Sequence, residues 1–294
     1  MSDNNSRRSN LITKYVLKDK HTIESEMSFF DHLEELRWHL IRSVIAIAIF
    51  TGLAFSYKEI IFDQIILGPK NPDFWTYRMM CQIAAKYNIA DFCVDKINFV
   101  IMNTELAGQF MIHLTSSFLV GIALAFPYFI WELWRFIKPA LEIKERQYAN
   151  GLIFFTSVLF GIGVLFGYFI IVPLTINFLG SYTVSAEILN QVSLDSYLST
   201  VGTLSLGCGL TFELPIIIYF LSKMGIVTPK LLRSNRRFAI VLILLVSAFI
   251  TPSPDMMTQT IVAIPLFLLF EISIFVSAAV ARNKAKKEAE FYNS

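Results

Sequence analysis

The chain has 294 residues, of which 55% are hydrophobic and only 16% charged. A soluble domain of that length cannot bury so much apolar side chain, so composition places the protein in a membrane. With a net charge of +2, the basic residues read as topology signals and contacts with anionic lipid rather than as a nucleic-acid surface.

In chain order, a mobile cytoplasmic tail is expected over residues 1–26, a six-span membrane domain over 27–281 and a basic cytoplasmic tail over 282–294. The membrane domain opens on Ser28-Phe-Phe-Asp-His-Leu-Glu-Glu-Leu-Arg37, where Ser28 and Asp31 form a capping box. Phe29, Leu33, Leu36 and Leu40 make one apolar stripe, which predicts a short amphipathic helix at the cytoplasmic interface. Apolar runs long enough to cross about 30 Å of hydrocarbon follow near 38–57, 112–134, 152–179, 197–221 and 257–280. A shorter run near 238–252 is broken only by Ser247, so it thins the bilayer locally or turns back at depth.

Lysine and arginine sit before the first span, in the 2–3 loop, in the 4–5 loop and after the last span, whereas residues 180–196 and 251–256 carry none. The positive-inside rule therefore puts both termini in the cytoplasm and exports the long loop 58–111. The predicted fold is an all-α membrane protein with six transmembrane helices, both ends inside, a short interfacial helix before the first and a short fifth span. The first apolar run is spanning length and lacks a cleavage site, so it stays as a helix. Arg7-Arg8 resembles the start of a targeting signal, but no apolar region follows it.

Within that frame, the chemistry concentrates at a few polar residues. Glu213 interrupts the fourth span, where an acid costs about 2.5 kcal/mol or more and marks a pathway, a proton site or a docking site. Pro215 lacks an N–H and crowds the preceding turn, so a polar, kinked notch is expected there. Glu271 is a second acid within apolar sequence, in the sixth span. Glu142 and Glu145 lie in a cytoplasmic loop where topology favours bases, either as helix-start pairs or as a receptor for cations. Thr251-Pro-Ser-Pro-Asp255 forms a turn in which Ser253 caps and Pro254 opens a helix, with Gln259 one turn beyond Asp255. Cys81 and Cys93 both fall in the exported loop and either pair or remain thiols. Tyr77, Met80, Cys81, Ala84 and Tyr87 recur at helical spacing, so a short surface helix is expected there.

His32-Leu-Glu-Glu-Leu-Arg37, Lys138-Pro-Ala-Leu with Lys144-Glu-Arg146, Phe212-Glu-Leu-Pro215 and Thr251-Pro-Ser-Pro-Asp255 with Gln259 together resemble the signature blocks of the TatC family. That family provides the multispanning receptor of the twin-arginine protein translocase. The resemblance implies a protein of the bacterial inner membrane that binds twin-arginine signal peptides of folded cargo. It further implies TatA- and TatB-type single-span partners, homo-oligomers within a hetero-complex and use of the proton-motive force. By the same resemblance, Glu35 and Glu145 contact the arginine pair, with Arg37, Phe136 and Arg146 beside them. Glu213 meets partner helices, Pro69 lies on the exported side, and Asp255 with Gln259 forms a polar pair between the last two spans. The 58–111 loop is longer than the compact family form. A carboxylate takes a guanidinium through two parallel bonds and an ammonium through a point charge, so two separated acids would select Arg-Arg.

Two other readings compete on the residues. An ion-coupled secondary transporter would use Glu213, Glu271 and the broken fifth span, but predicts inverted repeats that the sequence lacks. An intramembrane hydrolase would need a nucleophile and base; His113 and Ser117 are the only nearby pair and no acid orients them. No phosphate loop is present, so energy from nucleotide hydrolysis is not handled by this chain; no enzyme activity, metal or cofactor is expected.

Overall fold

Pro173 and Pro215 each stand at the start of a helical segment that follows an interruption of its span. The computed structural model describes residues 29–87, 93, 99–137, 149–185, 187, 190–251 and 256–292. The tail 1–26, the capping Ser28, the 2–3 loop with Glu142, Glu145 and Arg146, and Pro252 to Asp255 lie outside the described residues.

Helix α1 runs unbroken over Phe29–Ser56. The expected separate interfacial helix is therefore corrected: its residues are the first turns of α1. No glycine or proline falls between Phe29 and Thr51, so nothing interrupts the i to i−4 ladder. After a π-helical turn (Ile60–Ile66) and a 3-10 turn (Gly68–Lys70) comes α2 (Trp75–Tyr87), the predicted surface helix. Strand β1 (Val100–Met102) leads into α3 (Gly108–Ile137). Helix α4 (Ala149–Phe166) passes through a π-helical turn (Gly167–Ile171) into α5 (Val172–Ser181). Strand β2 (Gln191–Ser193) pairs in parallel with β1, in the register Val100 to Gln191 and Met102 to Ser193. Ser193 caps α6 (Leu194–Phe212) by accepting from the Ser196 N–H at 3.2 Å. The fourth span then breaks at Glu213 and resumes as α7 (Leu214–Lys223), with Pro215 near its start, where its missing N–H costs no helical bond. A turn through Gly225, at φ 78, closes α7. Thr228 caps α8 (Pro229–Ser234), which precedes α9 (Arg236–Ile250) and α10 (Met256–Tyr292).

Among the described residues, five helical stretches are long and apolar enough to cross a membrane: Leu33–Ser56, Gly108–Ile137, Gly151–Ser181, Leu194–Lys223 and Gln259–Lys286. Helix α9 has only 15 residues, about 22 Å of helix at 1.5 Å per residue. Its outer side is nonetheless bare hydrocarbon, with Phe238, Leu242, Leu245 and Phe249 all exposed. Water would penalise such a surface and lipid would not. The basic tail is not separate from the last span, since α10 continues to Tyr292 through a stretch rich in Ala, Lys and Glu, all strong helix formers.

The long helices pack antiparallel through small residues. Thr51 of α1 meets Gly121 of α3, where a Cβ would stand 2.8 Å from the Thr51 backbone nitrogen. Gly163 and Gly167 bring the third span onto α6, and a Cβ on them would stand 2.8 Å from the carbonyls of Cys208 and Leu204 respectively. Ser222 of α7 donates to Ser277 of α10 at 2.8 Å. The core at these crossings holds Ile171, Val172, Leu204, Leu266 and Ile274, all nearly inaccessible.

At one end the loops form a cap. Pro173 has no N–H for the Phe169 carbonyl four residues back, and the Thr76 hydroxyl of α2 donates to that carbonyl instead. Tyr77 reaches both Pro69 and Pro173, at 3.0 and 2.9 Å. Tyr168 and Tyr197 donate to the carbonyls of Ile65 and Ile66 at 2.6 and 2.9 Å. Three tyrosines thus fasten the buried Pro69 turn. A disulfide joins Cys81 of α2 to Cys93.

Candidate functional site

The residues singled out in the sequence fall into two regions of the fold. The first is the crossing of α1 with α3, at the end opposite the tyrosine cap. Glu35 and His39 are one turn apart on α1, and His39 Nε2 stands 3.9 Å from Glu35 Oε1. His39 Nδ1 bonds to Oε2 of Glu132 on α3. The Phe136 ring packs edge-on against His39, centroids 6.2 Å apart. Arg37 is exposed and sits over Trp38 at 5.6 Å, on another side of α1 from Glu35. Glu35 and Phe136 are therefore brought together, Arg37 is turned away, and Glu145 and Arg146 lie outside the described residues.

Glu132 is 1% exposed, and a bare buried carboxylate would be very costly. Its surroundings offset that cost: the Tyr128 hydroxyl donates to Oε1 at 2.9 Å, Arg135 approaches at 3.7 Å and Arg42 at 4.0 Å, besides His39. Sequence reasoning passed over Glu132 and His39. The signal existed, because Glu132 is an acid at the end of an apolar run, as Glu213 is within one. Glu35 contrasts with it: its Oε2 is buried and has no hydrogen-bond partner among the described residues.

The second region is the notch in the fourth span. Glu213 is 8% exposed, and its Oε1 is buried without a partner among the described residues. Its carbonyl accepts from the N–H groups of Ile216 and Ile217, both at 3.0 Å, so the chain re-enters a helix immediately after the break. Glu271 is not a solitary acid. Arg236, at the start of α9, donates to it at 2.8 Å. Gln259 donates to the Leu244 carbonyl at 2.9 Å and so also ties α10 to α9. Gln259 and Glu271 are separated by about 18 Å along α10, so they do not form one cluster. Asp255 lies outside the described residues. His113 does not activate Ser117: the hydroxyl donates to the His113 backbone carbonyl at 2.7 Å, while the imidazole stacks on Phe55 at 4.0 Å. Among the described residues no three His, Cys, Asp or Glu side chains converge as metal ligands.

Comparison with known proteins agrees with this architecture. Residues 31–265 match the model of the family described as Sec-independent protein translocase protein, TatC. The Sec-independent protein translocase protein TatC of a Blattabacterium from Periplaneta americana is 39% identical over 89% of this chain and 98% of its own length. That of Aquifex aeolicus is 34% identical over 88% of this chain and 98% of its own. A crystal structure of a twin-arginine translocase receptor, TatC, superposes with a TM-score of 0.65 at 34% identity, covering 85% of this chain and 99% of the other. The chain, a multi-pass membrane protein, belongs to the TatC family of protein translocase components.

Proposed function

We propose that this protein is the receptor that binds twin-arginine signal peptides, Glu35 and Glu145 each taking one arginine. The supporting observation is the Glu35 carboxylate, which keeps one buried oxygen without a donor among the described residues, beside His39, against which Phe136 packs. A buried acceptor left unpaired costs about 1–3 kcal/mol, and a guanidinium restores the missing bonds in a planar fork that lysine cannot match.

The charge asymmetry of the loops supports six spans, with α9 as the short fifth, and both termini in the cytoplasm of a bacterial inner membrane. Glu35 and the 2–3 loop then face the compartment from which cargo arrives, and the tyrosine cap with Pro69 and the disulfide faces outward. As a component of the translocase the chain works with other subunits, for which TatA- and TatB-type single-span helices, several copies of this chain and the proton-motive force complete the reading. Glu213 and Pro215 offer such helices a carboxyl group and a backbone break. The transporter alternative loses one of its two acids, because Glu271 is already paired with Arg236.

The test is capture of the detergent-solubilised protein by an immobilised twin-arginine peptide and by its Lys-Lys version. Retention on the first alone supports the receptor. Equal retention on both, or capture undiminished in Glu35→Gln and Glu145→Gln, overturns it.

A further inference from the structure

Among the described residues, Glu132 and His39 form the most completely buried ionisable pair joining two spans. Four groups hold Glu132: the Tyr128 hydroxyl, the Arg42 and Arg135 guanidiniums and His39. With Glu132 bonded to Nδ1, the imidazole is held from one nitrogen, and its Nε2 stands 3.9 Å from Oε1 of Glu35, a close polar approach longer than a hydrogen bond. The two carboxylates therefore flank one ring. The arrangement is asymmetric, because one Glu35 oxygen faces His39 while the other is buried without a donor among the described residues.

We propose that Glu132 and His39 are positioning residues for signal-peptide recognition, setting the rotation of the Glu35 carboxylate so that its second oxygen meets an incoming guanidinium. Neither residue touches the peptide. This rests on the reading of Glu35 as an arginine acceptor. Orientation matters for a guanidinium, whose two parallel bonds need the carboxylate in a set plane, and matters little for an ammonium. The Glu132–His39 pair thereby contributes to discrimination between Arg-Arg and Lys-Lys rather than to attraction of positive charge in general. Phe136 packs against the same ring in an edge-type contact, centroids 6.2 Å apart.

The experiment measures binding of fluorescein-labelled Arg-Arg and Lys-Lys peptides to the full chain in lipid nanodiscs. The variants are Glu35→Gln, Glu132→Gln, His39→Gln, His39→Leu and the double Glu35→Gln/Glu132→Gln. Glu132→Gln keeps a partner for Tyr128 but removes the anion that fixes His39. It is expected to weaken Arg-Arg binding on the order of fivefold and to leave Lys-Lys binding unchanged. The double variant is expected to bind no worse than Glu35→Gln, since the positioning acts only through Glu35. His39→Gln, which retains a donor, is expected to keep more discrimination than His39→Leu.

If Glu35→Gln itself binds Arg-Arg as the parent does, the receptor reading of Glu35 fails. If Glu35→Gln weakens binding while Glu132→Gln and both His39 variants do not, the positioning proposal alone fails. It fails equally if Glu132→Gln lowers binding of both peptides alike, or if the double variant shows additive losses, since either outcome marks Glu132 as a structural clamp between α1 and α3. Should Glu132→Gln not assemble, the two His39 variants decide the matter.

Discussion

The Tyr77 hydroxyl of α2 donates to the Pro173 carbonyl at 2.9 Å across 96 residues of sequence and shares its one proton with the Pro69 carbonyl at 3.0 Å. Both acceptors belong to proline turns that interrupt regular structure, so the phenol joins two defects into one cap. Tyr77→Phe keeps the ring in its buried place and removes only the bond. The expected cost is about 1–3 kcal/mol, read as a lowered melting temperature of the detergent-solubilised protein. Unchanged melting would mean that the carbonyls find other donors.

The same phenol gives a pH dependence. Burial pushes the Tyr77 phenol up from its ordinary value of 10.0, because the charged form has no water in the cap. The folded protein therefore holds a proton that the unfolded chain releases from about pH 10 upward. Stability from the protonated phenol is complete below that value and falls as pH rises past it. Melting curves taken between neutrality and strong alkali are expected to show a steeper alkaline decline in the parent than in Tyr77→Phe. Parallel declines would exclude Tyr77 as a contributor.

Much of this architecture is legible in the order of residues. The spacing of Tyr77, Met80 and Ala84 announces α2, and Glu213 followed by Pro215 announces the break in the fourth span. Three features are not legible. The apolar stripe from Phe29 to Leu40 looks like a separate interfacial helix, yet a continuous ladder extends it into the span because no residue stops it. Glu271 looks unpaired because its partner Arg236 belongs to another helix, 35 residues back. The His39 to Glu132 bond spans 93 residues, and only the antiparallel crossing of α1 and α3 reveals it. Glu132 nonetheless carried a local signal, an acid in apolar sequence, while His39 carried none.

The disulfide between Cys81 and Cys93, 12 residues apart, constrains the unfolded loop more than it shapes the folded one. Replacing both cysteines with serine is expected to lower stability by about 2–3 kcal/mol in the chain-entropy account. Binding of a twin-arginine peptide is expected to persist, because Glu35 lies near the far end of α1, about 30 Å or more along the helix from the cap. The checks are thermal melting with and without reductant, and peptide binding to the Cys81→Ser/Cys93→Ser protein. Loss of binding at full folding would show that the cap and the α1–α3 crossing communicate.

Gly163 and Gly167 make a small-xxx-small face, and added side chains there would strike the backbone of α6. Gly167→Leu is expected to separate the third span from α6 at a cost of about 1–3 kcal/mol or more. Gly161 lies on the same helix, and a Cβ there meets nothing within 4 Å. Gly161→Ala is therefore expected to be neutral or to stabilise by about 0.5–1 kcal/mol through helix propensity. Size-exclusion profiles and melting temperatures distinguish the two. A well-folded Gly167→Leu protein would show that the crossing tolerates wider spacing.

Glu213 combines three properties that a packing residue does not need together. It sits at the junction of α6 and α7, it is 8% exposed, and its Oε1 has no partner among the described residues. An unpaired buried polar atom within a span is costly unless another helix supplies its partner. A polar residue on a partner's single span can do so, and the Pro215 break gives that helix room to approach. Glu213→Gln keeps hydrogen-bonding capacity and is expected to retain much of the export activity. Glu213→Ala removes the polar contact, and Glu213→Arg adds a charge of the wrong sign, so both are expected to lose export with the protein still assembled in the membrane. Site-specific crosslinking from position 213, in resting membranes and in membranes transporting a folded reporter, identifies the partner directly. A crosslink to a single-span subunit that disappears in the Ala variant supports docking at the notch. Absence of any crosslink, together with normal export by Glu213→Ala, would leave Glu213 as a carboxyl satisfied within its own bundle.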